Sequence, residues 1–60
     1  MTYVALLYSP SLDQFETDCN NFAWDSKHLA DWFGGLCENY NHYFDVEDFY
    51  IISINKLGDN

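Results

Sequence analysis

Four side chains of this sequence could ligate a metal: Cys19, His28, Cys37 and His42. Zinc modules hold such groups in short paired spacings, and none of these gaps matches one. Cys19 falls on an apolar stripe, where a small buried thiol is the ordinary reading. A Cys37–His42 nucleophile pair is disfavoured, because a helix-borne thiol in an acidic chain gains little from ionising. Asp45, Glu47 and Asp48 form an acidic cluster, but it lacks the ligand spacing and glycine of a calcium loop. Gly34-Gly35 is not followed by the Lys and Ser/Thr of a phosphate loop. No cofactor or metal is expected. Sixty residues rarely enclose a substrate cleft, so an enzyme is not expected either.

Charge points elsewhere. Ten acids stand against Lys27 and Lys56, for a net charge of −8. Phosphate contacts need a basic surface, which argues against direct binding to nucleic acid or anionic membrane. The natural partner is a basic protein surface. Twelve aromatic rings and 48% hydrophobic residues argue against disorder, and they are many for one small core. Some rings are expected at an interface. The two cysteines lie 18 residues apart with no disulfide framework, and no apolar run reaches the length of a membrane span. A cytoplasmic setting with reduced thiols is the simplest expectation.

The elements that must carry these groups follow from hydropathy. Positions Leu12, Phe15, Cys19, Phe22, Ser26, Leu29, Phe33, Leu36, Tyr40 and Tyr43 recur in steps of three and four, the period of a helical stripe. One unbroken helix would be roughly 50 Å long, too long for so small a globule to wrap. A break is therefore expected around Ala23–Ser26, where Asp25 and Ser26 are both good N-caps. An unbroken coiled coil is disfavoured, because the flanking positions offer no complementary charge pairs. Ser9-Pro10 or Ser11 would start the first helix, and a second would run from about Ser26 to Tyr40. Gly34 and Gly35 would mark a kink or helix end, or else a flat spot for a partner's backbone. Thr2 to Tyr8 and Phe49 to Ile54 read as strands, and the residues from Lys56 onward as a fraying tail. The expected fold is α+β: one domain, a two-stranded antiparallel sheet in β-α-α-β order, with a helical hairpin on one face.

Both strands look apolar on both faces, and helices can cover only one. Phe49 and Ile51 are expected on the uncovered face. The functional expectation is a small acidic protein-binding module, an inhibitor that occupies the basic groove of a nucleic-acid-binding protein. Inhibitors of nucleases, polymerases or bacterial defence systems, encoded by phages or mobile elements, fit that description. Its contacts would be Asp13, Asp18, Asp31, Glu38, Asp45, Glu47 and Asp48, with Trp24 or Tyr43 as an anchor. The rival expectation is a structural or regulatory homodimer joined through the apolar sheet face, with the charge serving solubility.

Overall fold

The computed structural model describes residues 2–21 and 26–57. Thr2–Ser9 forms β1, Gln14–Asn20 forms β2, Ser26–Phe44 forms the helix α1, and Tyr50–Leu57 forms β3. The strands make one antiparallel sheet in the order β2-β1-β3. The β-α-α-β expectation is therefore corrected on two counts. The sheet has three strands, and a single described helix takes the place of the helical hairpin. Residues 23–25 of the expected break, Trp24 among them, lie outside the described residues, and Ser26 is the first residue of α1.

The first half of the helical stripe is a β-hairpin. Leu12 lies in the turn, while Phe15 and Cys19 lie in β2. A four-residue step is one helical turn but also two full strand repeats, so Phe15–Cys19 fits either period. Glu16 and Asp18 alternate with Phe15, Thr17 and Cys19, which then share one face. Ser9 and Pro10 open a turn here and cap no helix. The Asp13 amide donates to the Pro10 carbonyl at 3.2 Å, and Asp13 takes a left-handed φ of 51°. Four-residue hairpin loops are commonly built around such a turn, and Asp tolerates the left-handed region better than most residues.

β1 is central because it is apolar on both faces. Ala5, Leu7 and Ser9 are fully buried towards the helix, and Leu36 and Phe49 complete the core. Trp32, Tyr40, Phe44, Val46, Ile51 and Ile54 pack around it. Fully burying a Leu or Phe side chain stabilises by roughly 1.5–3 kcal/mol, so this small core depends heavily on Leu7, Leu36 and Phe49. Phe49 and Ile51 thus lie on the covered side, contrary to expectation. The reason is that Ile51 pairs with the helix-facing Leu7, and a bulge in β3 brings Ile54 to the same side. Ile51 opposes Leu7, Ile54 opposes Ala5, and Ile52 is the extra residue between the pairs. Strict alternation from Phe49 onward groups Ile52 with Ile54; the bulge separates them. Tyr50 and Ile52 are left exposed, at 58% and 54%. Lys56 and Leu57 belong to β3 and pair with Tyr3 and Thr2, which corrects the expected tail there; its remaining residues lie outside the described ones.

The helix runs through Gly34 and Gly35 without ending there, and continues past Tyr40 to Phe44. It closes in a Schellman motif. The Asp45 amide bonds the His42 carbonyl, the Val46 amide bonds the Asn41 carbonyl, and Asp45 holds the left-handed φ of 57° that glycine usually supplies. Asn41 Oδ1 then accepts the Phe49 amide at 2.8 Å and fixes the approach to β3.

Candidate functional site

Antiparallel pairing puts directly opposed residues on one face. Glu16 opposes Leu7 and Asp18 opposes Ala5, so two carboxylates of the edge strand β2 face the helix. The Trp32 indole donates to Asp18 Oδ2 at 2.8 Å, and the Tyr40 hydroxyl donates to Asp18 Oδ1 at 3.0 Å. The same hydroxyl proton is shared with the Thr17 carbonyl at 3.2 Å, in a three-centre bond. Partial burial, then the hydrogen bond and the negative charge of Asp18, push the Tyr40 phenol up to about 12. A cleft of about 500 Å³ opens between β2 and α1, lined by Glu16, Asp18, Trp32, Tyr40, Tyr43 and Phe44 among others.

A second arrangement runs along the outer side of α1. Asp31, Gly34, Gly35 and Glu38 occur at i, i+3, i+4 and i+7, one continuous helical stripe. A Cβ added at Gly34 would meet nothing within 4 Å, and one at Gly35 only the Asn39 side-chain nitrogen at 3.8 Å. Neither glycine is demanded by packing within the chain. The backbone positions of Asp31 and Glu38 stand roughly 10 Å apart along the axis, with a flat saddle between them. Lys27 pairs with Asp31 at 3.3 Å on the open surface, where such a pair contributes little.

The third group lies at the hairpin end of the sheet. Asp48 accepts the Ser9 hydroxyl at 2.6 Å, the Ser11 amide at 2.7 Å and the Ser11 hydroxyl at 2.9 Å. The Ser9 bond above all, with those from Ser11, holds its carboxyl below the ordinary carboxylate value. Asp13 accepts the Tyr8 hydroxyl at 2.8 Å, and that bond, with burial and the charges of Asp13 and Asp48, raises the Tyr8 phenol.

The residues singled out from sequence therefore divide. Asp13, Asp31, Glu38, Asp45 and Glu47 are exposed, as is Tyr43 at 80%. Asp18 and Asp48 are half-buried and occupied by internal donors. Phe49 and Ile51 belong to the core and its margin, and Trp24 is outside the described residues. Cys19, expected in the core, is exposed opposite Val4 on the other sheet face; Cys37 is half-buried, and both are free thiols. Helical periodicity hides Glu16 and the cleft. The alternation in Gln14–Asn20 is the signal that would have placed Glu16 and Asp18 together.

The open face of the sheet completes the inventory. Phe15, Tyr50, Ile52 and Leu57 are 50–60% exposed there, and Tyr8 and Phe15 stack with ring centres 4.5 Å apart. The charged residues of the described strands, Glu16, Asp18 and Lys56, all pair with helix-facing positions of β1. Among the described residues, no group of three potential ligands could hold a metal ion, and no helix is long and apolar enough to cross a membrane. The chain matches no protein-family model, no curated protein and no solved structure.

Proposed function

We propose that this chain is a small acidic protein-binding module that occupies a basic, nucleic-acid-binding surface of another protein and thereby inhibits it. The observation that carries the reading is the stripe Asp31, Gly34, Gly35, Glu38. Each interior glycine costs about 1 kcal/mol relative to alanine. A 60-residue domain has only about 3–9 kcal/mol of stability in all. The chain carries both glycines with no internal contact that needs them. A surface approaching between two carboxylates does need them, because side chains there would hold it off. Lys and Arg placed for phosphates meet Asp31 and Glu38 instead, with the exposed acids Asp13, Asp45 and Glu47 adding long-range attraction. Partner capture should therefore weaken steeply with salt. Reversing Asp31 and Glu38 together to Lys should slow association at least tenfold, as expected when steering charges change sign. Capture that is indifferent to salt and to the double reversal would reduce the acids to solubilising groups.

A second reading rests on a separate observation, the open apolar sheet face, where the described strands carry no charged side chain. Two copies could pack those faces together as a sandwich about 10 Å deep, keeping their acids outside. Sedimentation equilibrium would then give twice the 7.1 kDa chain mass, and Ile52→Lys would restore the monomer without unfolding it. A wild-type chain that stays at 7.1 kDa at high micromolar concentration removes this reading.

A further inference from the structure

We infer that the cleft between β2 and α1 is a guanidinium site that takes an arginine side chain from the basic partner. It rests on the reading of the chain as a binder of basic surfaces, and adds to it the place and chemistry of one anchoring contact. Its floor carries two carboxylates, Glu16 and Asp18, on one face of an edge strand. Its walls are aromatic: Trp32, Tyr40, Tyr43 and Phe44. The donors bound to Asp18 are the neutral Trp32 indole and Tyr40 hydroxyl, which orient the carboxylate but leave its charge in place. Each of its oxygens retains lone-pair capacity beyond the bond it accepts. Neither described lysine is placed to supply the counter-charge. Lys27 is engaged by Asp31, and Lys56 stands on β3, at the opposite edge of the sheet from β2.

The chemistry selects the ligand. A half-buried carboxylate beside aromatic faces suits a cation that is planar, weakly hydrated and able to bond in a fork. The guanidinium meets all three conditions and the compact ammonium does not. Stacking on Tyr43, 80% exposed at the mouth, adds a cation–π contact. The volume of about 500 Å³ falls within the range of small-ligand sites.

The test needs no partner. The Trp24→Phe variant leaves Trp32 as the one indole signal, and that signal is followed by NMR during titration with ethylguanidinium, ethylammonium and the neutral isostere ethylurea. Ethylguanidinium should shift the Trp32 indole resonance saturably and bind more tightly than ethylammonium, and ethylurea should give no saturable shift. Adding Tyr43→Ala should weaken the guanidinium about two- to five-fold, the loss of one cation–π contact. Glu16→Gln, which keeps the side chain's shape, should weaken it as well. Equal binding of ethylurea, equal affinity for ethylammonium, or affinity unchanged in both variants would overturn the assignment. The wider reading fails separately, through salt-indifferent partner capture that survives reversal of Asp31 and Glu38.

Discussion

Asp18 and Asp48 show how the same residue type serves two purposes in one chain. Both belong to the acid excess, yet both accept bonds from inside the molecule. Asp48 ties the β1–β2 turn to the loop after α1 through Ser9 and Ser11. Its folded carboxyl ionises below its ordinary value of 3.8, so ionised Asp48 favours the fold. That contribution is fully present above pH 3.8 and is lost as the pH falls through the lower folded value. Asp48→Asn should therefore be less stable than wild type at neutral pH in urea unfolding, and the gap should close as the pH drops below 3.8. A gap independent of pH would mean that the bonds matter for shape and the charge does not. Composition reveals the number of acids. It does not reveal which ones find donors, because the Ser9–Asp48 contact spans 39 residues of sequence.

Among the elements, α1 was legible from Ser26 to Tyr40, because its apolar positions recur over several turns and no strand could place them on one face. β1 was legible from its β-branched and aromatic run. β2 was not. Its apolar residues lie four apart, a spacing that helix and strand share, and Leu12 belongs to the turn. The bulge at Ile52 was hidden as well, since an extra residue changes the facing of later positions without altering composition. At this scale the glycine saddle and the helix cap give one joint prediction. Gly34→Ala and Gly35→Ala should each stabilise the fold by about 1 kcal/mol, since alanine fits both places and favours a helix. Asp45→Gly should stabilise by a similar amount, relieving the left-handed φ of 57° and removing an anion from the negative helix end. Thermal unfolding measures all three. The saddle reading adds that Gly34→Ala, though more stable, binds the partner less well. An alanine variant that gained stability and kept full affinity would leave the glycines unexplained by contact.

On the scale of the whole molecule, charge and apolar surface are separated. Among the described residues, the exposed acids lie on α1 and in the two loops at its end and at the hairpin, while the open sheet face offers Phe15, Tyr50, Ile52 and Leu57. The sequence expectation of an uncovered apolar sheet face was right in kind, but the residues it named, Phe49 and Ile51, are buried or packed at the core. The pairing of Ile51 with the helix-facing Leu7 explains the difference, while β2 widens the sheet without a second described helix to cover it. The Asp31–Glu38 stripe of α1 and the apolar sheet face are thus separate surfaces, while Asp13 stands at the rim of the apolar face, bonded to Tyr8. The proposed inhibition places the acidic side where nucleic acid would otherwise lie. It is tested most directly by titrating the captured partner's nucleic-acid complex with this chain and following release of labelled nucleic acid. Wild type should displace the nucleic acid fully, and the Asp31→Lys, Glu38→Lys double variant at least tenfold more weakly, as expected for steering charges of opposite sign. A ternary complex in which the partner holds both the chain and its nucleic acid would contradict it.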